Sequence, residues 1–307
     1  MSDLSQVEVR RATWPRDAQA LESLRERVFV DEQGVPKHLE WDGRDADAEH
    51  AIAEVGSEAL GCGRLLPGGR IGRLAILKNH RGQGHGARLL AALLQFAQER
   101  GERRVYLHAQ VGTEGFYERA GFRARGEVFE EAGIEHRDME SVLDYRDWTQ
   151  ALGRVPYPSP LDQLVIALAR QARRDLAILS QDLDPKLFGA ADLLEALRLL
   201  IRNDRNARVR VLVGDARDIV RRGHSLVALA RRAPTKIAFR SLQDHPDWDG
   251  DTLVVRDRTG VLSHSGDGRT PGSYFPQDRP TCERALGRFE DLWTAGSENP
   301  EFRSLSI

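Results

Sequence analysis

Apolar and polar positions alternate in "VEVRRAT" near the start of the chain and again in "EHAIAEV" and "EALGCGRLL", which a turn at residues 56–58 joins. Such alternation turns one face of a strand towards a core, so the three stretches predict strands. Between the first two, "AQALESLRERVFVDEQ" carries helical spacing. The strand "GRIGRLAIL" follows, then a helix from about Gly86 to Arg100 stopped by Gly101, the strand "RRVYLHAQ", the short helix "TEGFYERAG" and a strand pair within "FRARGEVFEEAGIEHRDMESVL". The first half is therefore predicted as mixed α/β, with antiparallel hairpins around one central helix.

The pattern breaks at "GRVPYPSPLDQ", where Pro156, Pro158 and Pro160 alternate. Each proline drives its predecessor into extended backbone, so no helix or central strand is expected to cross, and residues 151–160 are read as a linker between domains at 1–150 and 161–307. Beyond it, "DLAILSQDL" and "ARVRVLVGD" read as strands, and "FGAADLLEALRLLIRND" and "RDIVRRGHSLVALARRA" as helices. Strand and helix alternate, which predicts a parallel sheet. "KIAFRSL" and "DTLVVRDRTGVLSH" add strands, the second with a turn at residues 258–260, and "TCERALGRFEDLWTAG" closes as a helix.

Composition narrows the function classes. A chain of 307 residues suits two domains. Its 45 Lys plus Arg against 47 Asp plus Glu leave a formal net charge of -2, which argues against broad binding to nucleic acid or anionic lipid. The two cysteines, Cys62 and Cys282, exclude a disulfide framework or a cysteine-rich metal site and read as reduced thiols. No apolar run approaches the roughly 18 residues that span a bilayer, and "MSDLSQVEVRRATW" lacks the apolar core of a signal peptide, so a cytoplasmic protein is expected.

The candidate chemistry begins at "HRGQGHGARLL", where Gly82, Gly84 and Gly86 alternate directly before an apolar helical face of Leu89, Leu90, Leu93, Leu94 and Ala97. A helix opening from a glycine loop offers unpaired N–H groups and a partial positive charge, and missing β-carbons let a phosphate approach them. Arg81 can add a charge-assisted contact. The spacing is neither the Walker pattern nor the dinucleotide fingerprint. The chain here resembles the GNAT acetyltransferases, whose pyrophosphate loop matches Arg81, Gly84 and Gly86, with "RLAIL" in the place of the acetyl-CoA-binding strand. "GFYERAGF" is similar to the family's second characteristic stretch, and "RVFVDEQGVP", "LHAQ" and "FEEAGIEH" resemble its ElaA/YjcF-like subgroup, so that the likeness covers most of residues 7–145.

The resemblance implies acetyl transfer from acetyl-CoA to an amine of a small molecule or protein, without a metal. It implies cofactor binding by Leu74, Ile76, Arg81, Gly82, Gly84 and Gly86, with the Ile76 amide against the acetyl oxygen and Tyr117 as the acid that reprotonates the thiolate. Candidates to take the amine proton are Glu40, His50, His108 and His136, of which Glu40 and His136 stand in stretches resembling the subgroup. The acidic "EWDGRDADAEH" lacks the glycine and spacing of a calcium loop and reads as a solvated segment able to attract a cationic acceptor.

From about Leu161 the chain resembles phospholipase D-like domains in "LAILSQDLDPKLF", "ARVRVLVGD" and "FEDLWTAGSE". That family needs a histidine, a lysine two residues on and an aspartate five further. Aligning Asp257 with the aspartate puts Gly250 and Thr252 at the other two positions, and His224 and His264 are followed two residues later by Leu226 and Gly266. The domain is read as catalytically silent, a binding or dimerising module. The rival reading of the whole chain is an acyl-CoA-binding regulatory or scaffold protein without turnover.

Overall fold

A computed structural model describes residues 7–243 and 245–302, and the chain divides between Leu143 and Asp144 into two units. In the first, β1 (Glu8–Ala12), β2 (Glu49–Val55), β3 (Glu58–Leu65) and β4 (Ile71–Ile76) form an antiparallel sheet in that order. A second sheet has the order β5 (Arg104–Gln110), β7 (Ile134–Val142), β6 (Arg123–Glu131). The helices are α1 (Ala18–Arg25), running into a π-helical turn Glu26–Glu32, the short α2 (Lys37–Glu40), α3 (His85–Glu99) and the short α4 (Glu114–Glu118).

Two apolar faces hold this unit together. Leu21, Leu24 and Val28 bury against Ile52, Cys62 and Ala75 on one side of the first sheet. On α3, Leu89, Leu90, Leu93 and Ala97 are buried as the helical spacing predicts, while Leu94 is only half-buried. Each buried leucine contributes about 1.5–3 kcal/mol. The glycines of β3 permit the close passage of β4 and α3, since a β-carbon at Gly61 would stand 2.3 Å from Ile76 Cδ1 of β4 and one at Gly63 2.7 Å from Leu93 Cδ1 of α3.

The second unit begins with a strand that the proline-rich stretch conceals. β8 (Leu152–Val155) lies inside the expected linker and joins the edge of a seven-stranded sheet. With β9 (Asp175–Ser180), β10 (Arg208–Val213), β11 (Ile237–Ser241), β12 (Thr252–Arg256), β13 (Gly260–His264) and β14 (Gly272–Phe275), the order is β11-β10-β9-β12-β13-β14-β8. Only β9, β10 and β11 are parallel. The parallel pairing expected from the alternation of strand and helix is found there, and the sheet becomes mixed because β12, β13 and β14 are joined by connections too short for a crossover and must pair antiparallel. The helices are α5 (Leu161–Gln171), the short α6 (Pro185–Phe188), α7 (Ala191–Asn203), α8 (Ala216–Arg222), α9 (Ser225–Arg232) and α10 (Arg279–Ala295). The single helix expected over 217–233 is two, because Gly223 takes φ +72° and ends α8.

Candidate active site

The first unit's two sheets meet at one parallel bridge. Tyr106 N–H donates to the Gly69 carbonyl at 3.0 Å, and the parallel bridge Arg70–Tyr106 is where β4 and β5 touch; beyond it they part into separate sheets. Gly69 permits this contact: it holds φ +86°, and a β-carbon there would stand 2.4 Å from the Arg104 carbonyl oxygen. Where the strands have parted, β4 turns a backbone amide outward. Leu77 N–H bonds the Leu60 carbonyl at 2.9 Å, so Leu77–Leu60 is a hydrogen-bonded pair. Its neighbour Ile76–Gly61 is then a non-bonded pair, and the N–H of Ile76 points away from β3.

The glycine loop closes one end of the opening. Gly82 and Gly84 both adopt left-handed backbone, φ +75° and +84°, and Gly84 is the N-cap of α3. Arg88 N–H is bonded to the Gly84 carbonyl at 3.2 Å, so the amides of His85, Gly86 and Ala87 precede the first helical bond. A β-carbon at Gly82 or Gly84 would meet nothing within 4 Å, which leaves open space above those amides. The six residues that the sequence assigned to the cofactor, Leu74, Ile76, Arg81, Gly82, Gly84 and Gly86, all line one cleft of about 950 Å³.

Tyr117 lines the same cleft from α4. Its ring is set edge-on against Phe116 and Phe122 at 4.9 and 6.0 Å, and Phe122 is fully buried behind it. Burial pushes the phenol up to about 12, so it keeps its proton at any physiological pH.

The four amine-side candidates separate. Glu40 does not line this cleft; it is 2% exposed, and Arg25 and Arg73 both ion-pair with its carboxylate. Burial pushes that carboxyl up against the pull of Arg73 and Arg25. A carboxylate buried between two guanidiniums and absent from the cleft's lining is shut off from an amine entering there, and its visible contacts are those of an internal anchor. His50 is equally buried, with Nε2 at 3.0 Å from the Asp45 carbonyl oxygen and its ring stacked on Trp14. His108 is held between Glu131 and Asp138, at 2.6 and 3.2 Å. His136 also lies outside the cleft's lining, on β7 opposite Gln110 of β5, and its Nδ1 donates to the Ile134 carbonyl at 2.8 Å. That bond leaves the lone pair on Nε2.

Similarity to known proteins bears on the same residues. A GNAT acetyltransferase domain profile matches residues 3–143. The Bacillus subtilis protein named as the uncharacterized N-acetyltransferase YjcF is 37% identical over 120 residues, covering 38% of this chain and 86% of the relative. The chain belongs to the GNAT acetyltransferase family. Two crystal structures are also similar to the GNAT unit: an acyl-CoA N-acyltransferase from Pseudomonas aeruginosa (33% identity, 45% of this chain and 100% of that one, TM-score 0.41) and Escherichia coli ElaA (29%, 44% and 99%, TM-score 0.41). With the family comes the reaction class: the GNAT chain is an acyl-CoA N-acyltransferase, and the family draws on acetyl-CoA.

The GNAT cleft also holds residues that sequence reasoning passed over. His85 sits between two of the loop glycines and lines the cleft, 8% exposed, and neither of its ring nitrogens has a hydrogen-bond partner among the described residues. Its signal in the sequence was a polar ring at the first position of a helix, between residues chosen for having no side chain. Thr113, Phe116 and Arg119 join the lining from the segment before and through α4.

Residues 157–305 match a domain of unknown function, DUF7931. In this unit Gly250 stands in left-handed backbone, φ +88°, ahead of β12, and Thr252 is buried with its hydroxyl 3.5 Å from that of Ser180. The Asp257 carboxylate accepts from the backbone N–H groups of Arg173, Arg174 and Asp175 at 3.0–3.1 Å. The Nδ1 atoms of His224 and His264 accept from the backbone amides of Leu226 and Gly266 at 3.1 and 3.0 Å, and burial lowers the pKa of both rings. Among the described residues no group of three or more His, Cys, Asp or Glu is arranged to hold a metal ion, and no helix is long and apolar enough to cross a membrane.

Proposed function

We propose that the first unit transfers the acetyl group of acetyl-CoA to an amine by direct attack on the thioester. The observation that carries this reading is that the outward Ile76 amide, the Tyr117 phenol and the open amides of the glycine loop all face one cleft. The amides of residues 82–87 would hold the diphosphate at the positive end of α3. The amine nitrogen attacks the carbonyl carbon, a C–N bond forms, and the carbonyl oxygen gains charge beside the Ile76 N–H. As the C–S bond breaks, the thiolate takes the proton of Tyr117. The proton shed by the amine goes through water to His136 Nε2; the buried, ion-paired Glu40 takes no part in that transfer. The products are an N-acetylated amine and free CoA.

The second unit, on this reading, is a phospholipase D-like fold without its chemistry, which pairs with a second copy of the chain or docks a partner. The mixed sheet with three parallel strands supports it, as do Gly250 and Thr252 at the positions of the nucleophile and the phosphate-binding lysine. Cys62 and Cys282, both free and buried, suit a reducing cytoplasm.

The test is to present acetyl-CoA with a broad panel of amines, to follow release of the CoA thiol, and to detect the acetylated product by mass. The expected result is thiol release that needs both substrates. Tight binding of acetyl-CoA with no release for any amine would favour the regulatory or scaffold reading.

A further inference from the structure

β4 carries a residue that strand geometry does not favour. Arg73 holds φ +52°, in the left-handed region, in the middle of a strand. A side chain there is strained relative to ordinary backbone. The register explains its position: Arg64 pairs with Gly72 and Cys62 with Ala75, so Arg73 and Leu74 together oppose the single residue Gly63. This is a β-bulge.

The bulge decides which way the Ile76 amide faces. Before it, Leu66 N–H bonds the Arg70 carbonyl at 2.9 Å, so bonded pairs are spaced in twos from Arg70–Leu66. Continued without the bulge, that register would pair Ile76 with Leu60 in a bonded position and turn its N–H into β3. The extra residue shifts the pairing by one, Leu77 takes Leu60, and the Ile76 N–H is released towards the cleft.

Something must hold Arg73 in this conformation, and its own side chain is clamped. Its Nε lies 2.8 Å from Glu40 Oε2, and its Nη2 donates at 2.9 Å to the carbonyls of both Leu39 and Glu40. Glu40 is fixed in turn: Arg25, 1% exposed, binds its carboxylate and also its carbonyl at 3.0 Å, and Arg25 is tied to Asp45 at 2.7 Å. The brace therefore runs from α1 through α2 into the bulge.

We propose that Arg73 and Glu40 are positioning residues: the ion pair of half-buried Arg73 with buried Glu40 fixes the β4 bulge and thereby presents the Ile76 amide to the acetyl oxygen. The inference rests on the proposed acetyl transfer for its consequence in catalysis, though not for its consequence in structure. Glycine adopts the left-handed conformation without cost, which separates the backbone from the side chain.

The experiment compares Arg73→Ala, Arg73→Gly and Glu40→Gln with the parent chain, measuring kcat, KM for acetyl-CoA and hydrogen exchange of the Ile76 amide by NMR. Arg73→Ala is expected to lose about 10² in kcat, the scale of losing one oxyanion donor, with KM changed by less than about threefold. Glu40→Gln should fall in the same direction. Arg73→Gly should recover most of kcat, because the bulge persists without the clamp. The Ile76 amide should exchange readily in the parent chain and in Arg73→Gly, and become protected in Arg73→Ala as it turns to β3. Unchanged kcat in Arg73→Ala, equal losses in the Ala and Gly variants, or an Ile76 amide already protected in the parent chain would each overturn the brace. If the parent chain acetylates no amine, acetyl transfer fails while the exchange pattern still decides the brace.

Discussion

The Nη1 and Nη2 of Arg81 hold the Glu32 carboxylate at 2.7 and 2.8 Å, while Arg81 Nε donates to the carbonyl oxygen of Ile76 at 2.9 Å. One guanidinium thus joins the end of the π-helical turn, the end of β4 and the glycine loop. It also occupies the Ile76 carbonyl, which faces the same side as the Ile76 amide. The side chain expected to reach for phosphate is already engaged, and its hydrogen bonds hold the Glu32 carboxyl below the usual range.

Two roles for Arg81 give opposite signs for one substitution. If the pair acts as a staple, Glu32→Ala loosens the loop and weakens acetyl-CoA binding, by about two- to fivefold for a half-exposed bidentate pair. Freed for phosphate, Arg81 would instead tighten binding. The structure favours the staple, and calorimetric titration of acetyl-CoA into Glu32→Ala reads the sign directly.

The loop glycines separate by conformation. Gly84 holds φ +84°, and a β-carbon would meet no neighbour, so Gly84→Val strains the backbone and blocks the approach to the amides without a clash in the fold. Acetyl-CoA affinity should fall at least about tenfold, or roughly 1.4 kcal/mol. At Gly86 no left-handed angle is needed, and the new carbon would lie 3.6 Å from Phe116, an ordinary contact. Gly86→Ala should therefore not lower the melting temperature, and a loss of affinity in titration would report the close approach of the ligand. Unchanged affinity in folded Gly84→Val would remove the diphosphate from this loop.

What the sequence made legible in this unit was local. The loop, α3 and the aromatic α4 are each encoded within a few adjacent residues, and the six positions proposed for the cofactor converge on one cleft because a strand, a loop and a helix follow one another in the chain. Roles that depend on convergence from afar stayed hidden. Glu40 looked like a base because nothing in its own stretch reveals Arg25, 15 residues earlier, or Arg73, 33 later, which bury it. The bulge at Arg73 was equally invisible, since left-handed backbone at an arginine runs against every propensity and is imposed by its partners. β8 was missed for the opposite reason: proline punctuation dominated four residues whose pairing with β14 is purely tertiary.

Tyr117 as proton donor makes a prediction about pH as well as rate. Its pKa is raised to about 12, above the ordinary phenol, so the donor form is fully present below that value and is lost only as pH rises through it. Between about pH 6 and 10 Tyr117 should impose no descending limb on kcat, and Tyr117→Phe should lower kcat by about 10² to 10⁴ across that whole range while sparing acetyl-CoA affinity. Parallel pH profiles of kcat for the two proteins check this. An alkaline limb near pH 9 that vanishes in Tyr117→Phe would mean an unburied phenol and a different cleft.

The second unit should hydrolyse no phosphodiester. A covalent route needs a nucleophile, a cation on the phosphate and an acid for the leaving group, brought to one place. Gly250 has no side chain to offer, and Thr252 turns its hydroxyl towards Ser180 inside the fold. Asp257, the one residue that matches the pattern, accepts three backbone amides and so serves to close the start of β9. The two histidines of the unit that remain buried are no substitute: each spends Nδ1 on a backbone amide, and burial lowers the pKa of each ring, which works against the positive charge that a phosphate needs. The full-length chain should leave a chromogenic phosphodiester at the buffer rate. Turnover that disappears in His224→Ala or His264→Ala would restore a catalytic role. If turnover is absent and full-length chain and a variant ending at residue 150 show the same monomeric mass in solution, self-pairing is removed and docking of a different partner is what the sheet is left to do.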